Sequence, residues 1–375
     1  NTENNSTSSH TDQVQEVVYG NEAIRQRDEL QCSFPIEGGV VRKWDDMEIL
    51  LGHALNKLHS DDNDNDNDNY NANDNDNANG NNSDNLKRIL ITEPPLNPHR
   101  NKRKMLEILF ESMDFESVNI ANQSLLVLYA RGLLTGMVVD CGEGVTQVVP
   151  VYEGYVAPHL IRRHGVVGKT ITKYLSKLLT QTSSKMTQGD HLDTVVRDIK
   201  ETMCYVACDL EQERRLARET TVLVEKYTLP DGTSVKVGQE RFECTEAYFG
   251  PELVGMECRG LSDFVFDLVQ ECDIMSRRQY YEHVILSGGS SMFPGMPNRL
   301  EKDLKDRYLS DVLKGDESRL NKFKISVEAP SDRQHLVFCG GALLADVQQD
   351  RAEFWLTKKE YDELGVEKAL AKCQM

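Results

Sequence analysis

Three apolar runs that each end on glycines, spread over most of the chain, predict an α/β protein built as two halves. The first, Met137-Val138-Val139-Asp140, passes through the acidic turn Cys141-Gly142-Glu143-Gly144 into a second β-rich run, Val145-Thr146-Gln147-Val148-Val149. The second, Val284-Ile285-Leu286, meets Ser287-Gly288-Gly289-Ser290-Ser291 and then a helical pattern; the third, Leu336-Val337-Phe338, reads as a strand meeting Cys339-Gly340-Gly341 before Ala342-Leu343-Leu344-Ala345. Gly142 and Gly144 lack a Cβ, so their turn can take positive φ and aim successive backbone N–H groups at an anion. Asp140, at its strand end, can hold the water shell of a divalent cation. Taken alone, residues 141–145 read equally as a solvated hairpin turn, because acidic-glycine turns close many ordinary hairpins. Three such joints together suggest a nucleotide clamped between the halves.

The elements follow in order. Residues 1–11 are polar, without an apolar or cationic run, and the chain starts at Asn1 with no initiator Met. Residues 61–85 are a low-complexity Asn/Asp tract that buries no apolar surface to offset its ordering entropy, so disorder is expected. Its Asp62, Asp64 and Asp66 do not make a calcium loop: Asn67 stands where such a loop needs Gly, and Asn73 where it needs a bidentate Glu. Lys87 to Thr92 reads as a strand, Lys102 to Phe110 as a helix, and Ser117 to Ile120 as a strand entering a helix through Leu128. Leu192, Val195, Val196, Ile199 and Met203 recur at helical spacing, as do Leu300, Leu304, Tyr308 and Val312 before a stop at Gly315. Val222 to Tyr227, Pro230-Asp231-Gly232 and Val235 to Val237 read as a β-hairpin.

Composition narrows the class. A chain of 375 residues suits two domains. A formal charge of −18 argues against wholesale binding of nucleic acid or anionic membrane. The nine cysteines are odd in number and scattered, with no C-x-x-C pair. Cys204 and Cys208 lie one helical turn apart but lack a second Cys/His pair, so buried thiols are expected and not zinc. With no apolar run near 18 residues and no signal peptide, the expectation is a reduced, cytoplasmic protein without membrane insertion.

Longer words carry a resemblance. Trp44-Asp45-Asp46-Met47, Thr92-Glu93-Pro94-Pro95-Leu96-Asn97-Pro98, Tyr152-Glu153-Gly154-Tyr155, Tyr227-Thr228-Leu229-Pro230-Asp231-Gly232 and Leu286-Ser287-Gly288-Gly289 resemble actins and actin-related proteins, in the superfamily that also holds sugar kinases and heat-shock chaperones. Gly132 to Gly136, Glu219 to Glu225, Tyr308-Leu309 with Val312 to Asp316, and His335 to Phe338 differ from conventional actin. They are similar to the actin-related branch found in the complex that nucleates branched filaments, and the segment from Val312 to Phe323 is longer than in conventional actin. The match runs from about Asp12 to the C-terminus, apart from the insertion near 60–85.

The resemblance implies an actin-like ATPase fold, with two related α/β domains around a nucleotide cleft. Residues 12–130 with 336–375 would form the first domain and 131–335 the second. The family opens with a further hairpin, carrying its own Asp-x-Gly phosphate turn, ahead of the point where this sequence begins to match. The first domain is therefore expected to lack its N-terminal strands, with one sheet edge uncovered and nucleotide binding weakened in this chain alone.

The implied cofactor is ATP or ADP with Mg2+. Asp140 would hold the cation through water, and Gly142, Glu143, Gly144, Gly168, Lys200, Glu201, Gly288, Gly289, Met292 and Phe293 match the positions around phosphate, ribose and base. Gln123 and Gln147 match positions that order the attacking water. Departures are plain: Gln147 stands where the family has His, Glu143 where it has a shorter acid, Phe293 where it has Tyr, and Gln334 where it has a basic residue. Glutamine orients water but does not accept a proton at neutral pH, so slow hydrolysis is expected. Each position has a plainer reading: a helix cap for Gln123, a solvated helix face for Lys200 and Glu201.

Tyr129, Gly132, Tyr155, Leu344 and Val347 match an apolar groove where activators and first actin subunits bind, against a plain reading as inter-domain packing. The implied function is structural: pairing with actin-related protein 3 and the other subunits of the branched-actin nucleating complex, with actin and nucleation-promoting factors as partners, in the cytoplasmic actin cytoskeleton and cell projections. A slow ATPase, a conventional filament subunit, a truncated or divergent scaffold and a sugar kinase are the other readings.

Overall fold

The computed structural model describes residues 18–26, 32–65, 88–182 and 192–372, in two bodies. The first comprises described residues up to Pro35 and from Lys43 to Asn65. It holds α1 (Gly20–Arg25) and α2 (Trp44–Asn65). Asp45 and Asp46 open α2, where carboxylates suit the positive end of the helix dipole, and Tyr19 stacks on His53 with ring centroids 4.4 Å apart. Residues 61–65 of the Asn/Asp tract form the last turn of this helix. Adding residues to a formed helix costs less than nucleating one. The rest of the tract, 66–85, lies outside the described residues, as do residues 1–11.

The second body runs β1 (Ile36–Glu37), β2 (Val40–Val41), β3 (Arg88–Glu93), α3 (His99–Glu107), β4 (Ser117–Asn122), α4 (Gln123–Ala130), β5 (Gly136–Cys141), β6 (Thr146–Tyr152), β7 (Tyr155–Val156) and β8 (Arg162–His164). It continues through α5 (Gly168–Thr182), α6 (Leu192–Met203), α7 (Leu210–Glu219), β9 (Glu225–Thr228), β10 (Ser234–Val237), α8 (Glu240–Glu246), α9 (Leu261–Glu271) and α10 (Arg277–Glu282). β11 (Val284–Ser287), α11 (Met296–Arg307), α12 (Glu317–Leu320), β12 (Val327–Glu328), α13 (Leu336–Val347), β13 (Leu356–Thr357), α14 (Lys358–Leu364) and α15 (Val366–Lys372) complete it. The helices predicted at 102–110 and 300–312 each end in a π-helical turn, Ile108–Ser112 and Tyr308–Val312. Gly315, at φ +89°, follows the second.

Two sheets organise this body. A three-stranded sheet has the order β13-β4-β3, with β3 parallel to β4; among the described residues β4 is the one strand paired with β3. A six-stranded sheet has the order β12-β11-β5-β6-β7, with β8 also on β6. β11 lies parallel to β5, and β5 antiparallel to β6. Met137, Val138, Val139, Val148, Val149, Val284, Ile285 and Leu286 are fully buried. Such continuous apolar strands are what a sheet covered on both faces requires. Val127 and Leu128 of α4 pack with Val138, Val149 and Ile285 on one face. On the other, Met137, Val139, Val148 and Leu286 meet Ile171 and Leu175 of α5, Val196 and Ile199 of α6, and Leu300 and Leu304 of α11.

The sequence reading needs correction at several points. Leu336-Val337-Phe338 is not a strand but the first turn of α13. Gly340 is there for packing: a Cβ on it would stand 1.9 Å from the Leu126 carbonyl oxygen, so α13 crosses α4 with backbone against backbone. The predicted hairpin strand starts at Glu225, not Val222, which is 76% exposed. Of the two cysteines expected buried, Cys204 is and Cys208 is not. Among the described residues, no helix is long and apolar enough to cross a membrane.

Candidate functional site

The β5–β6 register sets Asp140 opposite Gln147 and Cys141 opposite Thr146, and the turn between them closes by Gly142 N–H donating to the Val145 carbonyl at 2.8 Å. Neither Gly142 nor Gly144 has positive φ, contrary to expectation. Gly142 is demanded by crowding, since a Cβ would stand 3.0 Å from the Val145 oxygen. The start of α5 is stapled onto this turn: Gly168 N–H donates to Gly142 O at 3.0 Å and Lys169 N–H to Glu143 O at 2.9 Å. A Cβ at Gly168 would fall 2.3 Å from Ser290 Oγ and 2.5 Å from Glu143 Oε2.

The third segment arrives from β11, whose Ser287 pairs with Asp140 of β5. Gly288 then takes φ +88° and ψ 154°, a region essentially reserved for glycine. A side chain there would meet Cys141 O at 2.4 Å. Ser290 Oγ donates back to Gly142 O at 3.2 Å, so three chain segments close on one point.

Above this junction is a cavity of about 360 Å³ lined by Glu143, Lys200, Glu201, Gly289, Ser290, Met292, Phe293 and Gln334. Lys200 is buried, not on a solvated face, and its Nζ lies 2.9 Å from Glu143 Oε2; Arg197 lies 3.6 Å from the other oxygen. The cavity thus presents the Lys200 ammonium with the Glu143 and Glu201 carboxylates, an apolar wall from Met292 and Phe293, and the amide of Gln334. That mixture suits a ligand with an anionic chain and a flat apolar ring.

Below the cavity, desolvation holds the Asp140 carboxyl above its usual range, against the opposing hydrogen bonds from Gln147 and Ser287. Gln147 Nε2 donates to Asp140 Oδ2 at 3.3 Å, while the Gln147 Oε1 is buried with no partner. A half-buried, desolvated carboxylate and an orphaned buried amide oxygen are groups that a divalent cation and its water would satisfy. These residues therefore fit the implied cation. Among the described residues, no cluster of three or more His, Cys, Asp or Glu could hold a metal by side chains alone.

Gln123 stands apart. It opens α4 and donates to Thr92 Oγ1 at 3.4 Å, while Asn122 caps the helix by accepting from Ser124 N–H at 2.9 Å. No hydrogen bond among the described residues joins Gln123 to Asp140 or Gln147. Of the proposed groove positions, Tyr129 and Gly132 lie at the end of α4: Gly132, at φ +66°, donates to Tyr129 O at 3.0 Å, and a Cβ on Gly154 would come within 3.6 Å of the Tyr129 hydroxyl. Tyr155 is 68% exposed on β7; Val347 is exposed and Leu344 half-buried on α13, which packs on α4.

Sequence reasoning missed Ser290 and Arg197. Ser290 was within the quoted Ser287–Ser291 word, and Arg197 precedes Lys200 by three residues, a spacing that shares a helix face.

Comparison with known proteins identifies the family. The family profile described as Actin matches residues 3–374. Actin-related protein 2 of Acanthamoeba castellanii is 44% identical over 96% of this chain and 87% of its own length. Actin-related protein 2 of Arabidopsis thaliana is 44% identical over 94% of this chain and 85% of its own, and that of Caenorhabditis briggsae 44% over 96% and 86%. With both sheets, the glycine junction and a match along nearly its whole length, the chain belongs to the actin family.

Proposed function

We propose that this chain is an actin-related subunit of the branched-actin nucleating complex, binding ATP or ADP with Mg2+ and pairing with actin-related protein 3 to template a daughter filament on the side of a mother filament. The observation that carries the reading is 44% identity with Actin-related protein 2 of an amoeba, a plant and a nematode, sustained over 94–96% of the chain. In this reading residues 12–130 with 336–375 and residues 131–335 are the two domains, and the cavity at Lys200 and Met292 takes the nucleotide. Lys200, Arg197 and the turns at 142 and 288 would hold the phosphates and ribose, Met292 and Phe293 the base, and Asp140 the hydrated Mg2+. The nucleotide's part is to draw the two domains together. Gln147 lies on Asp140 but cannot take a proton from water at neutral pH, so the bound triphosphate is held and hydrolysed slowly.

The Tyr129, Gly132, Tyr155, Leu344 and Val347 groove then receives activators and the first actin subunits, and the protein works in the cytoplasmic actin cytoskeleton. Leu344→Asp is expected to leave co-purification with actin-related protein 3 intact and to abolish activator-stimulated branching, since burying an unpaired carboxylate costs several kcal/mol, roughly 3–5. Pull-down from lysate and a pyrene-actin branching assay check both halves. A chain that fractionates alone, or a Leu344→Asp complex that branches normally, contradicts the reading.

A further inference from the structure

The turn at 288–292 is held from behind by a buried cation. Arg333 is 8% exposed, and its Nε and Nη2 donate to the Ser291 carbonyl at 3.1 and 2.9 Å, while Nη1 donates to Pro330 O at 3.0 Å. Its own carbonyl accepts the Gly288 N–H at 3.1 Å. None of its hydrogen-bond partners among the described residues is a carboxylate. Arg299, by contrast, is neutralised by Glu246 and Asp303. A guanidinium taken out of water without a counter-ion is costly, and carbonyl contacts return only part of that cost. Burial accordingly holds its pKa below the ordinary arginine range. The residues next to these contacts, Ser290 and Gln334, line the cavity.

We infer that Arg333 is a positioning residue of the cleft, fixing the 288–292 turn through the Ser291 carbonyl and placing beneath it a positive charge whose counter-charge is the ligand's phosphate chain. The inference rests on the nucleotide reading of that cavity. Arg333 does not line the cavity itself and acts through the turn. Its charge favours any anionic ligand over a neutral one of the same shape, because the guanidinium itself is shielded from water.

Two variants separate charge from scaffolding. Arg333→Gln keeps a donor for the Ser291 carbonyl and removes the charge; Arg333→Lys keeps the charge and loses the fork. Titration of the native assembly that carries this chain with Mg-ATP and with adenosine, alongside denaturation midpoints, is the measurement. Arg333→Gln is expected to weaken ATP by about tenfold, about 1.4 kcal/mol, with adenosine unchanged within about threefold, and Arg333→Lys to bind ATP within about threefold of wild type. Equal weakening of ATP and adenosine by Arg333→Gln, an unchanged ATP affinity in it, or a loss of about tenfold or more in Arg333→Lys overturns the inference; if Arg333→Gln does not fold, Arg333→Lys decides alone. A native assembly whose wild-type copy of this chain binds neither ligand overturns the nucleotide reading itself, and this inference with it.

Discussion

Gly288→Ala is expected to destabilise the chain by about 2–6 kcal/mol and to abolish nucleotide retention. Two independent costs add. The backbone at φ +88°, ψ 154° strains any residue with a Cβ, by about 1–3 kcal/mol. The new methyl would also overlap Cys141 O at 2.4 Å and approach Asp140 Oδ1 at 2.8 Å, which forces β11 away from β5 just where the cation-binding carboxylate sits. Overpacking of this kind costs about 1–3 kcal/mol more. Denaturant unfolding and nucleotide titration read the two effects. A variant with wild-type midpoint and affinity would mean that the turn relaxes without cost and that the junction is not the phosphate cradle.

Gly340→Ala and Gly341→Ala, one residue apart on α13, are expected to move stability in opposite directions. Helix propensity alone favours alanine at both, by about 1 kcal/mol each. At Gly341 nothing opposes that gain, since a Cβ meets Leu90 and Leu126 methyls at ordinary contact, 3.5 and 3.6 Å. At Gly340 the Cβ would stand 1.9 Å from a backbone oxygen of α4, which cannot swing aside as a side chain can. Separating the helices there costs roughly 3–5 kcal/mol, drawing on overpacking and lost contact at the α4–α13 crossing, and outweighs the propensity gain. Melting of the two variants beside wild type is the check. A stabilised Gly340→Ala would show that the helices do not cross so closely.

The same pair of glycines shows what was legible in the sequence. An apolar run followed by Gly-Gly reads alike whether glycine serves a turn or a close helix crossing, and only the partner element distinguishes them. At 288 the glycine serves a turn; at 340 it serves α4, and the strand read at 336–338 was wrong for that reason. The hairpin at 137–149 was legible because two β-rich runs flank an acidic-glycine turn, yet the conformation of that turn was not: neither glycine has positive φ, and Gly142 relieves crowding against Val145 O. Lys200 needed three dimensions. On its own helix it sits beside Glu201 and reads as solvated, while the acid it pairs with, Glu143, is 57 residues away. Arg333 was illegible for a related cause, since its partners are backbone carbonyls, which carry no sequence signal.

On the proposed function, the cavity bounded by Lys200, Gly289, Met292, Phe293 and Gln334 holds an adenine nucleotide. Irradiation of the native assembly with an azido-adenine analogue of ATP, followed by mapping of the modified peptide, checks this. Label is expected on the segment containing Met292 and Phe293, or on those containing Glu201 or Gln334, with loss of that label when excess Mg-ATP competes. Label confined to other segments of the chain, or label at these residues that excess Mg-ATP does not diminish, would contradict it.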